Sequence, residues 1–211
     1  MINILSLFSG THSWTKDYEN SFKYDVYSVD IEYRYKNTIC RDILTWDYKR
    51  ELKKRISVIY ASPPCNMYFT YMKNPPGSNP KMKQNEYTDY EKELSLKLVD
   101  KTIEIIEYYK PRYFIIENPR GRIIKHYESI CRYRPILLDY CMYGFDYMKP
   151  TFLYTNVPII PKRCVHRKHD VSLKMVKHGI IVETFRAMIP PLLSKEIFEY
   201  IDRELDRELI T

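Results

Sequence analysis

The sequence has very little glycine and alanine, with five and two of these residues among its 211 positions. The GxGxxG pattern of dinucleotide-binding loops is absent, which argues against an enzyme of that type. No apolar run approaches the roughly 18 residues that a membrane span needs, so a transmembrane protein is excluded. The first residues, MINILSLFSG, carry no basic segment and continue as a strand, so no signal peptide is expected.

Cysteine is also scarce and odd in number. The five cysteines are widely spaced, which favours reduced thiols in an intracellular, cytoplasmic protein over a disulfide scaffold. Hydrophobic residues make up 45% of the chain and charged residues 29%, a balance that excludes disorder as the main state and predicts a sizeable core. The net charge of +7 favours a polyanionic partner, nucleic acid first.

Two other residue types are abundant. The 24 isoleucines beside two alanines suggest an AT-rich coding genome, which leaves open a virus-encoded protein that acts in the host cell or is packaged in the virion. The 21 tyrosines either offer stacking surfaces for nucleic-acid bases or replace other aromatic residues in the core.

Short apolar runs alternate with helical segments along the chain. The runs are continuous, as in parallel strands covered on both faces, and lie at Ile2–Phe8, Tyr24–Asp30, Ile56–Ala61, Tyr113–Glu117, Ile136–Cys141 and Thr151–Thr155. One helix is predicted from a capping pair, Thr88 and Glu91, to Pro111, with Leu94, Leu98, Ile105 and Tyr109 as its apolar stripe. A last helix has apolar residues four apart from Leu193 to Leu209. The pattern predicts an α/β fold, a mostly parallel sheet with helices on both faces.

In such a sheet, ligands bind beyond the carboxyl ends of the strands. The segments that follow the predicted strands read FSGTHS, DIE, SPPCN and ENPRG, and chemistry is expected there. Residues 66–87 form a long loop after SPPC, of the length typical of an active-site lid. A second irregular stretch, at about 157–185, is basic.

Two residues at neighbouring strand ends could carry covalent chemistry. Cys65 follows two prolines that hold the backbone rigid, as a preset nucleophile requires, although a lone cysteine is more often a small buried side chain. Glu117 ends the apolar strand YFIIE, and a carboxyl group desolvated in this way can hold a proton near neutral pH. A thiol and a carboxyl together suit attack on a pyrimidine ring.

The ordered set LFSG, VDIE, DILTWD, SPPC and ENPRG resembles the C5-cytosine-specific DNA methyltransferases, most of all the small phage- and virus-type members with SPPC, ENP and KPT signatures. Tyr143–Asn156 is similar to the family's arginine-containing motif, and Phe185–Ile197 to its last motif. The resemblance implies a Rossmann-like fold that binds S-adenosylmethionine. It also implies methylation of cytosine C5 in DNA.

The resemblance also implies roles for individual residues. Cys65 would add to C6 of a flipped cytosine, while Glu117 would form a hydrogen bond to N3 or protonate it. The implied cofactor-binding residues are Phe8, Ser9, Gly10, Thr11, Asp30, Ile31, Asp42 and Pro63. The implied substrate-binding residues are Pro64, Asn118, Arg120, Lys149 and Thr151.

The sequence departs from the family at several positions. His12 replaces a second glycine, Lys149 and Thr151 stand near two usual arginines, and Ala187 replaces an asparagine. We expect one methyltransferase domain over residues 1–211, with a short basic insert at about 157–185 in place of a full target-recognition domain.

Other interpretations stay open. The chain could be an amino-group DNA methyltransferase, or a methyltransferase-fold protein that has lost catalysis and binds nucleic acid or belongs to the virion. Cys164, His166 and His169 match no standard zinc motif, so a basic nucleic-acid-facing loop with Arg163, Arg167 and Lys168 is favoured and no metal is predicted. The sequence does not determine the target site, the preference for DNA or RNA, or the oligomeric state.

Overall fold

The computed structural model describes residues 1–64, 89–120, 134–166 and 187–210. Within these ranges, seven strands form one sheet: β1 (Ile2–Leu7), β2 (Tyr24–Asp30), β3 (Ile39–Cys40), β4 (Ile56–Ala61), β5 (Tyr113–Pro119), β6 (Ile136–Asp139) and β7 (Pro150–Thr155). The helices there are α1 (Lys16–Glu19), α2 (Tyr48–Glu51), α3 (Asp89–Tyr109) and α4 (Pro191–Ile210). Short 3-10 turns occur at Tyr33–Tyr35 and Tyr140–Tyr143.

The strand order is β3-β2-β1-β4-β5-β7-β6; β7 pairs antiparallel with both β5 and β6, and the other described pairs are parallel. The mostly parallel sheet predicted from the sequence is confirmed. The two-residue strand β3 is too short to show periodicity and was not among the apolar runs, although the family resemblance implies a third strand before Asp42. The chain order reverses between β1 and β4, and such a reversal opens a crevice at the carboxyl ends of the strands.

Side chains of the central strands alternate between two hydrophobic clusters. In β5, Ile115 packs in the cluster that contains Tyr18 of α1 and Ile197 of α4, whereas Ile116 packs with Val99 of α3. The period of two expected of strands therefore sends neighbouring residues to opposite faces. The prediction of helices on both faces is confirmed.

The bounds predicted for α3 are close, but its predicted apolar stripe is wrong in detail. The buried residues are Ser95, Val99, Thr102 and Ile105, whereas Leu94, Leu98 and Tyr109 are half-buried. Hydroxyl side chains can be buried here because a helix supplies acceptors: the hydroxyl of Thr102 donates to the Leu98 carbonyl at 2.8 Å. Thr88 lies outside the described residues, so the predicted capping pair stays a prediction.

Tyrosine fills much of the core. The largest fully buried side chains include six tyrosines, namely Tyr18, Tyr48, Tyr60, Tyr140, Tyr143 and Tyr154. Their hydroxyl groups find partners inside the protein, as when Tyr18 and Tyr60 share a hydrogen bond of 2.7 Å. For these residues, the interpretation that tyrosine replaces other core aromatics is confirmed.

Two predicted strands end earlier in the structure. Phe8 leaves β1 with a φ of 56°, and Tyr140 and Cys141 belong to the 3-10 turn that follows β6. Apolar composition cannot separate a strand from the buried turn that continues it. In α4, by contrast, Leu193, Ile197, Ile201 and Leu205 are buried as predicted. No helix in the described part of the chain is long and apolar enough to cross a membrane.

Candidate active site

The loop that follows β1 is held against the end of β2. The amide of Gly10 donates to Asp30 Oδ2 at 2.9 Å, and the amide of Glu32 donates to Asp30 Oδ1 at 2.9 Å. Gly10 has a φ of 47°, and a Cβ built on it would meet no atom within 4 Å. The backbone is therefore open to a ligand at Gly10, and each Asp30 oxygen retains a lone pair that could accept a further hydrogen bond.

His12 takes the left-handed conformation that glycine usually fills. Its φ is 59°, and its ring nitrogens lie 2.8 Å from Glu19 Oε1 and 3.1 Å from the Tyr35 carbonyl oxygen. A residue with a Cβ in this region is strained by roughly 1 kcal/mol, and the two side-chain contacts offset that strain. His12 thus holds a left-handed conformation at this point of the loop.

A cavity of about 80 Å³ opens between the β1 loop and the end of β4. Four residues predicted to bind the cofactor line it, namely Phe8, Ser9, Gly10 and Thr11. Ala187, which belongs to the segment similar to the family's last motif, also lines it, whereas sequence reasoning missed the other lining residues, Ser13, Trp14, Tyr35 and Ser62. The indole N–H of Trp14 donates to the Ser62 hydroxyl at 3.0 Å and so joins the two walls.

The remaining residues predicted for the cofactor do not line this cavity. Ile31 is 64% exposed directly after Asp30, an unusual position for a large apolar side chain. Asp42 Oδ1 accepts the amide of Leu44 at 2.9 Å, so that carboxylate stabilises a turn. Pro63 is buried at the end of β4, and the next residue, Pro64, is exposed.

Glu117 lies in a buried polar cluster at the other end of the site. Its side chain is 5% exposed, and the hydroxyl of Tyr140 donates to Oε1 at 2.9 Å. The ammonium of Lys149 lies 3.7 Å from the same oxygen and 4.6 Å from the centre of the Tyr140 ring. The pKa of Tyr140 is raised well above its usual value, mainly by burial and secondly by the charge of Glu117. Tyr140 therefore stays a hydrogen-bond donor.

Asn118 connects the strand of Glu117 to the corner that precedes Cys65. Its side-chain amide donates to the Pro63 carbonyl at 3.0 Å, and its Oδ1 is buried with no hydrogen-bond partner among the described residues. A buried acceptor without a donor is costly unless a ligand or another group supplies one. Cys65 itself lies outside the described residues.

Comparison with known proteins decides the family. No family model matches the chain. The sequence is 34% identical over 170 residues to a protein of Frog virus 3 (isolate Goorha) named "Probable DNA (cytosine-5)-methyltransferase", and the match covers 79% of this chain and 77% of that protein. The chain belongs to the DNA (cytosine-5)-methyltransferase family.

Two further proteins resemble this methyltransferase. A candidate type II methyltransferase of Methanocaldococcus jannaschii is 28% identical over 137 residues, which cover 60% of this chain and 35% of that protein. The solved structure of the Entamoeba histolytica methyltransferase EhMeth superposes with a TM-score of 0.51 at 16% identity, over 85% of this chain. This chain spans 61% of that one, and the likeness shows that the two share the Rossmann-like fold.

The structure also locates the departures from the family pattern. Lys149, near a usual arginine, contacts Glu117 as described above, and Thr151 is fully buried with its hydroxyl 3.3 Å from the Lys149 carbonyl oxygen. Arg120 is exposed, and its amide donates to the Pro150 carbonyl at 3.0 Å. Tyr140 was missed because the predicted strand extended to Cys141. In the structure β6 ends at Asp139, and a position directly after a strand end is where a functional side chain is expected.

The basic segment at about 157–185 is described only as far as residue 166. Arg163 Nε donates to the buried carboxylate of Asp139 at 2.8 Å, so part of this guanidinium already has an internal partner. Arg167, Lys168 and His169 lie outside the described residues. A nucleic-acid contact by this segment stays a prediction.

Proposed function

We propose that this methyltransferase transfers a methyl group from S-adenosylmethionine to C5 of cytosine in DNA, with Cys65 as nucleophile and Glu117 as its partner. The observation that carries the proposal is the Asn118–Pro63 hydrogen bond of 3.0 Å. It joins the strand end that bears Glu117 to the SPPC corner, in which Cys65 comes two residues after Pro63. Family membership supplies the reaction class.

In the proposed reaction, the Cys65 thiolate forms a bond to C6 and makes C5 nucleophilic. When bound, the cofactor would supply an electrophilic methyl group on its sulfonium and would be left as the neutral thioether S-adenosylhomocysteine. Once C5 carries that methyl group, it loses its proton to a base, the bond between sulfur and C6 breaks, and the thiolate is restored. Glu117 holds a proton at N3 while electron density moves into the ring.

The environment of Glu117 suits this task. Among the described residues, both contacts of its carboxyl group, from Tyr140 and Lys149, are to Oε1. Oε2 is therefore left for the N3 edge of the base. Lys149 provides a positive charge near a position where the family usually has an arginine.

The cofactor would bind at the β1 loop and the end of β2. Gly10 offers an open backbone, Asp30 has lone pairs left for ribose hydroxyls, and the exposed Ile31 offers an apolar surface for adenine. Asp42 would contact the adenine amino group through its remaining oxygen. Thr11 and Pro63 would complete this binding surface.

DNA would approach the side of the site formed by Pro64, Asn118, Arg120, Lys149 and Thr151. The exposed Pro64 and Arg120 can reach a substrate directly, whereas the buried Asn118 offers an acceptor without a partner among the described residues. We further infer a single methyltransferase domain over residues 1–211, whose basic insert at about 157–185 contacts phosphates. The protein would act inside the cell, where its DNA substrate lies.

Trapping on 5-fluorocytosine tests the proposal. DNA that carries this base cannot lose its C5 substituent, so the wild type should form a covalent protein–DNA adduct in the presence of S-adenosylmethionine. Cys65→Ser should form none, because a hydroxyl is far less ionised than a thiol near neutral pH. Cys40→Ser is the matched control and should trap normally. Methylated cytosine made at normal rates by Cys65→Ser would contradict the proposal, and methylated adenine would indicate the amino-group alternative.

A further inference from the structure

A cluster of soft ligands lies beside the site, outside the proposed chemistry. Cys141 belongs to the turn after β6, and Cys164 and His166 belong to the segment after β7. One ligand atom from each residue lies within 4.8 Å of the other two. Cys164 and His166 are close together in the sequence, whereas Cys141 is joined to them only by the tertiary structure.

The separation of two of these atoms suits a tetrahedral metal ion. Cys164 Sγ lies 3.6 Å from His166 Nδ1. Zinc bonds of about 2.3 Å to sulfur and about 2.1 Å to nitrogen, at tetrahedral angles, place two such ligand atoms about 3.6 Å apart. Two thiolates and an imidazole are a ligand set that favours Zn²⁺ over Mg²⁺ or Ca²⁺.

A buried carboxylate holds the two segments together at this point. Asp139 Oδ2 accepts the amide of Cys164 at 2.8 Å and Arg163 Nε at 2.8 Å, and the Asp139 amide donates to the Lys162 carbonyl at 3.1 Å. The backbone that carries Cys164 is therefore positioned before any ion binds. Asp139 Oδ1 is buried and has no hydrogen-bond partner among the described residues.

We propose that Cys141, Cys164 and His166 bind one Zn²⁺ ion, with the fourth position open to water or another ligand. Its two charges would balance the two thiolates in a region that already contains the buried Asp139. The ion would fasten the start of the basic insert to the turn that contains Tyr140, the partner of Glu117. The site is structural and does not depend on the proposed methyl transfer.

Metal titration of the whole chain tests this site. Reduced protein, stripped with a chelator, should take up one equivalent of Co²⁺ with a sulfur-to-cobalt charge-transfer band, and Zn²⁺ should displace it. Losing a residue that only hydrogen-bonds a metal ligand typically weakens metal binding roughly 10- to 100-fold. Because Cys141 and Cys164 would be metal ligands themselves, Cys141→Ser and Cys164→Ser should weaken Co²⁺ binding by about 100-fold or more. Cys40→Ser, on the far edge of the sheet, is the control and should bind like the wild type.

His166→Ala keeps the test decisive if a cysteine variant fails to fold, because His166 is exposed. Zn²⁺ should raise the melting temperature of the wild type, as any ligand of the native state does, and should not raise that of His166→Ala. The proposal is overturned if the wild type shows no thiolate band, or if Cys141→Ser binds Co²⁺ as the wild type does. It is also overturned if Cys141 and Cys164 form a disulfide and the reduced protein takes up no zinc.

Discussion

The two ends of the candidate site are built in different ways. The cofactor end consists of backbone amides gathered around Asp30 and of left-handed residues in the β1 loop. The proposed base end consists of side chains from β5, the turn after β6 and the residue directly before β7, which meet at Glu117. A site made of backbone tolerates side-chain exchange, whereas a buried cluster of side chains depends on each member.

The largest effect is expected at the base end. In Glu117→Gln the side chain should keep its shape but lose its charge. Proton transfer to a reacting group typically contributes about 10²- to 10⁴-fold to the reaction rate. We expect kcat for cytosine methylation to fall within that range, with cofactor affinity unchanged. Glu104→Gln is the control, since Tyr48 donates to Glu104 at 2.6 Å in a similar pair far from the site. Full activity of Glu117→Gln would remove this residue from the mechanism.

Asp30→Ala tests the proposed cofactor end. A lost hydrogen bond to a charged group costs about 1.5–3 kcal/mol, so S-adenosylmethionine should bind roughly 10- to 150-fold more weakly by calorimetry. Asp25→Ala, in the same strand but at its opposite end, should bind the cofactor normally. Equal affinity in a folded Asp30→Ala protein would show that ribose is held elsewhere.

Tyr140→Phe removes only the hydroxyl that donates to Glu117. The carboxylate keeps Lys149, so we expect a smaller loss, roughly tenfold in kcat, as for one hydrogen bond to a charged group. Tyr143→Phe is matched to it, because Tyr143 is also fully buried in the same turn. If both variants lose the same activity, the effect belongs to the packing of the turn and not to Glu117.

The smallest effect is expected for His12→Gly. Glycine removes the strain of a φ near 59° but also removes the contacts to Glu19 and Tyr35, and these changes oppose each other. Cofactor affinity should stay within about threefold of the wild type, since a change below ~0.7 kcal/mol is expected from such compensation. His12→Val, with a branched Cβ, should bind clearly more weakly. A large loss in His12→Gly would mean that the imidazole itself contacts the ligand.

Much of the frame could be predicted because its signals are local. Continuous apolar runs predicted the parallel strands, and Asp30 and Glu117 lie near the carboxyl ends of β2 and β5, at the expected edge of the sheet. The motifs were also sufficient for the family, which the relatives confirm. The buried face of α3 was predicted only in part: Ile105 is buried, but hydropathy does not indicate that a helix will bury Ser95 and Thr102.

The sequence alone thus determined the α/β class, the strands that carry the site and the family. Only the tertiary structure brought Tyr140 and Lys149 onto Glu117, Trp14 onto Ser62, and Cys141 beside Cys164. The reason is physical: periodicity and motifs report what each residue meets within a few positions. A contact between distant segments depends on strand order and register, which are settled when the whole sheet packs.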